Sequence, residues 1–132
     1  MGMKINLDDI RGKKVLIVDD DAPVADLISD IMGGLGCETR VLYSGEAVHE
    51  TARDWKPELI TLDIQMPGKS GIECLAELKG DPATRDIPVV IISVVARRPD
   101  ILRQLVLAAK VIEKPLTVQT LTDCIALAVP SR

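Results

Sequence analysis

The stretch KKVLIVDDDAPVADLI, residues 13–28, decides the fold, because it joins an apolar run to three consecutive carboxylates and then to a helical pattern. The segment VLIV at 15–18 has the non-alternating, β-branched composition of a strand buried on both faces. Asp19, Asp20 and Asp21 follow it directly. Because clustered like charges at the end of a buried strand are unfavourable, the sequence predicts that a nearby group compensates for them.

Composition and charge restrict the fold and the class of function. The chain has 132 residues, 47% of them hydrophobic, which is enough for one compact domain with a substantial core. Its net charge is −4, with 16 basic and 20 acidic residues interspersed, so no basic stripe indicates direct nucleic-acid binding. The longest near-apolar run, VVIISVVA at 89–96, is far shorter than the roughly 20 residues of a membrane-spanning helix. We expect neither nucleic acid nor membrane as a partner.

Cysteine and histidine usage argues against two further kinds of site. Cys37, Cys74 and Cys124 are widely spaced and odd in number, and His49 is the only histidine. This pattern favours neither a disulfide framework nor a zinc site, and it fits a reducing, cytoplasmic location. The cysteines are expected to be small buried or half-buried residues, and His49 a solvated helix position.

Short β-rich runs alternate with helical patterns along the chain. Five runs predict strands: VLIV at 15–18, TRVLY at 39–43, LITL at 59–62, VVIIS at 89–93 and KVIE at 110–113. Residues 1–12 lack periodicity and are predicted to be a lead-in segment or linker before a domain at 13–129.

Five helices are predicted after the strands. In the first, one apolar stripe follows the 3.6-residue period: Val24, Leu27, Ile28, Ile31, Met32 and Leu35. Asp21 is its predicted N-cap, and Pro23 lies in its first turn. The second helix, to about Trp55, and the third, to about Lys79, have the predicted caps Ser44 and Ser70. Pro99 is predicted to open the fourth helix, and Thr117 to cap the fifth.

This alternation predicts an α/β fold, a flavodoxin-like doubly wound (βα)5 three-layer sandwich with parallel sheet order 2-1-3-4-5. Parallel strands need crossover connections, and right-handed helical crossovers cover both faces of the sheet. In this order strands 1 and 3 are neighbours, and the functional crevice lies outside the carboxyl ends of the strands.

Polar residues stand at these carboxyl ends: Asp19, Asp20, Asp63, Ser93 and Lys114. Two carboxylates about 4 Å apart repel by roughly 4 kcal/mol at an effective dielectric near 20. Such a cluster must be partly protonated, moved apart or paired with a cation, and its oxygen-only ligands favour Mg2+. With Lys114 and the Ser93 hydroxyl nearby, Asp63 is equipped to accept a phosphoryl group as a nucleophile.

In order and spacing, four segments resemble the two-component response regulator receiver domain over about residues 13–128: VLIVDDD, PELITLDIQMPGKSG, VVIIS and VIEKP. The resemblance implies that Asp63 is the phosphoacceptor and that Asp19 and Asp20 bind Mg2+ (or Mn2+) with it. It also implies that Ser93 is a switch hydroxyl and Lys114 a phosphate-binding lysine.

Further expectations come from the same resemblance. Gln65 is expected to offer its backbone carbonyl to the metal, Met66, Pro67 and Gly71 to shape the loop, and Pro115 to follow a cis peptide bond. The domain is expected to promote its own phosphorylation and slow dephosphorylation. Its partners are expected to be a histidine kinase or histidine phosphotransfer domain and a downstream output protein or domain, with a weak homodimer also open.

The chain departs from the family pattern in places. Val111 stands where an aromatic switch residue is common, and Val94 and Val95 follow Ser93, which predicts narrower access and slower exchange with small phosphodonors. LDDIRGKKVLIVDD and ISVV are similar to receivers of hybrid histidine kinases or other multidomain sensors, so both an excised module and a stand-alone receiver fit.

Other interpretations of these residues remain open at this level. Asp21 is better explained as an N-cap than as a ligand, whereas Asp19 and Asp20 also fit a solvated acidic loop. Alone, Ser93 is an ordinary strand-end hydroxyl and Lys114 a surface lysine. The alternatives for the whole chain are a phosphorylation-independent interaction module with the same fold and a magnesium-dependent phosphatase.

Overall fold

The computed structural model describes residues 10–93, 110–113 and 119, and with them a five-stranded parallel sheet. The elements in chain order are β1 (Lys14–Val18), α1 (Ala22–Gly34), β2 (Glu38–Leu42), α2 (Val48–Trp55), β3 (Leu59–Leu62), α3 (Gly71–Gly80), β4 (Val89–Ser93) and β5 (Lys110–Glu113). The predicted fourth and fifth helices, with Pro99 and Thr117, lie outside the described residues.

The strand order is β2-β1-β3-β4-β5, and every pair is parallel, as the sequence predicted. Val18 is in register with Leu42 on one side and with Leu62 on the other. The backbone N–H of Asp19 donates to Leu42 O at 3.1 Å, and that of Asp63 donates to Val18 O at 3.0 Å. The carboxyl ends of β1, β2 and β3 are therefore level, and the predicted flavodoxin-like arrangement is confirmed.

Alternation along the strands divides the core between the two faces of the sheet. Residues of α1 share one buried cluster with the strand residues Val15, Ile17, Leu59, Val90 and Ile92. Residues of α2 and α3 share the other with Leu16, Val18, Ile60, Leu62, Val89 and Ile91. Ile10 is only 2% exposed and belongs to the α1 cluster, so the core includes a residue of the segment predicted as a lead-in.

In helix α1 the predicted N-cap is confirmed, whereas the predicted apolar face is partly wrong. The Asp21 side chain accepts a hydrogen bond from the backbone N–H of Val24, and the helix ends at Gly34 with Leu35 as C-cap. Leu27, which the stripe assigned to the core, is 49% exposed, whereas Ala25 is fully buried. The small Ala25 side chain lies against the sheet, and this orientation turns Leu27 outward.

Helix α2 corrects another prediction, because Ser44 does not cap it. The helix begins at Val48, its N-cap is Ala47, and no side chain bonds to that end. Gly45 is buried against Lys69 and Cys74, so the chain makes a turn there before the helix starts. The α3 cap is confirmed, since Ser70 and Glu73 form a reciprocal capping box.

None of the helices in these ranges combines the length and the hydropathy that crossing a membrane requires. The longest described helix, α1, has 13 residues.

Candidate functional site

An acidic cluster lies at the carboxyl edge of the sheet, the edge formed where β1 and β3 end. Asp19, Asp20 and Asp63 each offer one carboxylate oxygen, and the three oxygens lie within 4.8 Å of one another. Asp19 is 1% exposed and Asp63 is 4% exposed, whereas Asp20 faces solvent. The structure thus brings together three acidic residues that the sequence predicted to meet.

The backbone holds the two buried carboxylates in place. Because Asp19 and Asp63 directly follow adjacent strands in register, their main-chain hydrogen bonds continue the sheet by one residue. Asp19 Oδ1 also accepts a hydrogen bond from the backbone N–H of Asp21 at 2.9 Å. Asp21 therefore serves the site through its amide and the α1 helix through its carboxylate.

The donor set fits a hard divalent cation. All three groups are carboxylates, and their oxygens are close enough to share one ion. Two of them are removed from bulk water, so their mutual repulsion is less screened than at an open surface. A bound Mg2+ would relieve that repulsion, and the exposed position of Asp20 would leave room for the waters that Mg2+ retains.

The loop 64–70, between β3 and α3, packs closely on the site. The backbone N–H of Gly71 donates to Ile64 O at 2.9 Å. A Cβ atom at position 71 would overlap the carbonyl oxygen of Asp63, so only glycine allows α3 to begin this close to the acidic residue. Met66, 7% exposed, anchors the loop in the core, while Gln65 and Pro67 are exposed.

The other predicted site residues are only partly described. Ser93 is the last residue of β4 and is in register with Glu113 of β5, which places its backbone at the carboxyl end of β4. Lys114 and Pro115, as well as Val94 and Val95, lie outside the described residues. The proposed metal contact of the Gln65 carbonyl stays a prediction.

Sequence reasoning missed two contacts that join distant segments. Glu46 Oε1 accepts a hydrogen bond from the backbone N–H of Lys69 at 3.1 Å. His49, predicted to be solvated, is half-buried with Nε2 2.7 Å from Asp81 Oδ2, so that prediction is wrong. Hydrogen bonds from the Ala83 amide and from His49 lower the pKa of the Asp81 carboxyl. Each pair is separated by more than 20 residues, and no local pattern indicates it.

The cysteines within the described ranges behave as predicted. Cys37 is half-buried and Cys74 is buried, and both are free thiols. Burial raises the pKa of Cys74 to about 11, so its thiol is protonated at neutral pH. Neither is placed as a nucleophile for the acidic site.

A scan against protein families matches residues 15–126 to the response regulator receiver domain. The phosphate regulon transcriptional regulatory protein PhoB of Pseudomonas aeruginosa is 40% identical over 82 residues, which are 62% of this chain and 36% of PhoB. The polar-differentiation response regulator DivK of Brucella ovis is 38% identical over 88 residues, 67% of this chain and 72% of DivK. The chain thus corresponds to little more than a third of PhoB.

Solved structures agree on the fold. The receiver domain of a sensor histidine kinase from Pseudomonas aeruginosa, whose structure has a magnesium ion in its active-site cleft, superposes with a TM-score of 0.83. The alignment covers 91% of this chain and 99% of that domain at 19% sequence identity, so it supports the architecture rather than any residue's role.

Proposed function

We propose that this chain, which belongs to the response regulator receiver domain family, accepts a phosphoryl group on Asp63 and thereby changes a protein-interaction surface. Receiver domains of this family are components of two-component phosphorelays. The donor we propose is a phosphohistidine on a histidine kinase or histidine phosphotransfer domain. The observation that carries the proposal is the meeting of Asp19, Asp20 and Asp63 at one edge of the sheet.

Asp63 is the proposed nucleophile because its carboxylate needs no general base. One of its oxygens attacks phosphorus, the bond between phosphorus and the histidine nitrogen breaks, and the imidazole leaves with the electron pair. The close packing of Gly71 against the Asp63 carbonyl fixes the backbone of the nucleophile, which favours a defined line of attack. We assign the Ser93 hydroxyl and the Lys114 ammonium to the transferred phosphoryl oxygens.

Receiver domains typically bind Mg2+ at an acidic cluster, and we assign that role here to Asp19, Asp20, Asp63 and the backbone carbonyl of Gln65. When bound, the ion neutralises negative charge on the phosphoryl oxygens and on the carboxylates. The chain's own contribution is to keep the side chains of Asp19 and Asp63 buried, with Asp19 Oδ1 bonded to the Asp21 amide and the Asp63 amide bonded to Val18 O, before a donor binds.

The output of the switch is proposed to be a surface formed by the fourth helix, the fifth strand and the fifth helix. Receiver domains of the family act with histidine kinases and output domains. Phosphorylation of Asp63 is proposed to draw Ser93 inward and to shift a pre-existing equilibrium between two conformations of that surface. The added phosphoryl group would thereby alter the surface that partners contact. The parent protein, its output domain and any weak homodimer belong to this proposal.

Incubation with Mg2+ and a phosphodonor, followed by intact-mass measurement and peptide mapping, tests the proposal directly. We expect one added phosphate per chain, mapped to Asp63. The Asp63→Asn variant should gain none, and chelation of Mg2+ should abolish the gain in the wild type.

Different outcomes separate the alternatives. Phosphate on another residue, or full phosphorylation of Asp63→Asn, would contradict the assignment. Steady turnover of a simple phosphate ester would instead indicate a magnesium-dependent phosphatase. The family match does not favour a phosphorylation-independent module. Such a module would be indicated if the Asp63→Asn variant still bound its partner and if that binding were still regulated.

A further inference from the structure

The turn that precedes α2 contacts the loop that follows Asp63. Glu46 lies in this turn, and its Oε1 accepts a hydrogen bond from the backbone N–H of Lys69 at 3.1 Å. The two residues are 23 positions apart, so the contact exists only in the folded chain. This hydrogen bond links the loop 64–70, which connects β3 and α3, to the turn that precedes α2.

Two glycines allow the backbones of turn and loop to approach closely. Gly68 has φ +75, and a Cβ atom there would stand 2.8 Å from Glu46 Oε1. A Cβ atom at the buried Gly45 would stand 2.5 Å from Lys69 O and 2.8 Å from Cys74 Sγ. At Gly45 a side chain would collide with the Lys69 backbone, so the turn and the loop pack directly against each other there.

The far end of the loop is fixed as well. Lys69 Nζ lies 2.9 and 3.0 Å from the two carboxylate oxygens of Glu77 on α3, and this contact raises the pKa of the lysine. Ser70 caps α3 through its capping box with Glu73. The Lys69 side chain is therefore held by α3, while its amide is held by Glu46.

We propose that Glu46 is a positioning residue for the metal site: by holding the Lys69 amide, it fixes the loop that carries Gln65 and so raises the affinity for Mg2+. This inference rests on the proposed function. Glu46 touches neither ion nor substrate in this scheme, and it acts through the loop backbone.

The first test uses the full chain without metal and measures amide hydrogen exchange by NMR. In the Glu46→Ala variant, the Lys69 amide should exchange about five- to tenfold faster, because one hydrogen bond to a charged acceptor is lost. Glu46→Gln keeps a carbonyl acceptor and should restore most of the protection. Glu50→Ala, which removes an equal charge from an exposed position four residues along, should leave Lys69 unchanged.

The second test measures Mg2+ binding to the same variants by calorimetry. Partners that bond a metal ligand directly usually contribute about 10- to 100-fold in affinity, so a residue acting through the loop should contribute less. We expect about 3- to 10-fold weaker binding for Glu46→Ala and near wild-type binding for Glu46→Gln and Glu50→Ala. Urea unfolding in metal-free buffer completes the set, since a purely structural role would change stability and leave the Mg2+ affinity untouched.

Each contrary result has a distinct meaning. Unchanged Mg2+ affinity in Glu46→Ala, or equal weakening in Glu46→Gln, would overturn the positioning role, the latter in favour of simple charge. If the wild type bound Mg2+ and all variants bound it equally well, this inference would be overturned, and the proposed function would still depend on phosphorylation of Asp63. Absence of saturable Mg2+ binding by the wild type would overturn both.

Discussion

Charged side chains are arranged differently at the two edges of the sheet. At the carboxyl edge, three carboxylates are gathered within 4.8 Å, and two of them are buried. At the amino edge, where β1, β3 and β4 begin, Lys13 Nζ pairs with Glu58 Oε2 at 3.1 Å. Lys79 Nζ there donates to the carbonyls of Arg85 and Ile87, and burial lowers the pKa of this lysine.

The difference separates an edge where opposite charges are paired, as Lys13 and Glu58 are, from an edge that gathers like charges. At the amino edge Lys13 and Glu58 form an ion pair and Lys79 is hydrogen-bonded to backbone carbonyls. An open groove of about 370 Å³ at this edge is lined by three prolines, Ala83 and Ile87 together with the charged residues Lys13, Glu58 and Asp86. The carboxyl edge concentrates negative charge that lowers stability unless a cation binds. Both edges belong to the same strands, so the contrast comes from the residues that flank the strands, such as Lys13 and Glu58 at one edge and Asp19 and Asp63 at the other.

The largest expected effect comes from the glycine that begins α3. Gly71→Ala places a Cβ atom against the Asp63 carbonyl and should lower the free energy of unfolding by about 3 kcal/mol, measured by urea denaturation. Gly80→Ala, at the other end of the same helix, meets nothing within 4 Å. That control should be neutral or stabilising by up to about 1 kcal/mol. Equal effects at both ends would show that the carboxyl edge is not tightly packed.

The second prediction concerns the sign of the charge effect at the carboxyl edge. Asp20→Asn removes one of three clustered charges, so in metal-free buffer it should stabilise the chain by about 1 kcal/mol. With Mg2+ in large excess the wild type should be more stable than Asp20→Asn. Binding stabilises the wild type by about 2.7 kcal/mol when the Mg2+ concentration is 100 times the dissociation constant. Urea denaturation with and without Mg2+ measures both values. A variant less stable than the wild type without metal would contradict the account.

The amino edge should respond in the opposite direction and more weakly. Glu58→Gln removes one partner of the Lys13 ion pair, and because Glu58 is partly exposed, the loss should be about 0.2 to 1 kcal/mol. Mg2+ should leave this difference unchanged. A Mg2+-dependent difference would show that the two edges are coupled.

The smallest effect is a pH dependence in the loop 81–88. The Ala83 amide and His49 hold the pKa of Asp81 below its ordinary 3.8, so its stabilising contribution is complete above that pH and is lost as the pH falls further. Asp81→Asn should therefore show a shallower loss of stability between about pH 4 and pH 2. Urea denaturation across that range is the measurement, and parallel curves for the two proteins would contradict the assignment.

Most of the fold followed from local patterns. Apolar, β-branched runs indicated all five strands within a residue of their observed bounds. The observed strand order is the flavodoxin-like one predicted for a doubly wound sheet with right-handed crossovers and helices on both faces. Asp19, Asp20 and Asp63 were predictable as a cluster because parallel strands end at a common edge.

The errors all involve contacts between distant segments. Ser44 is a good N-cap residue by type, yet the buried Gly45 and the Glu46 contact delay the helix to Val48. Leu27 fits the helical period, but the close approach of Ala25 decides which side faces the sheet. His49 could not be paired with Asp81 from sequence, since neither residue type nor spacing marks a bond across 32 positions.

The most direct test of the central claim is a titration with paramagnetic Mn2+ followed by amide NMR signals of the full chain. We expect that signals of residues 19, 20 and 63 broaden first, that those of residues 13, 58 and 86 at the amino edge stay sharp, and that excess Mg2+ reverses the broadening. Broadening that begins at the amino edge, or that spreads evenly over both edges, would contradict the claim that the carboxyl edge is the metal and phosphoacceptor site.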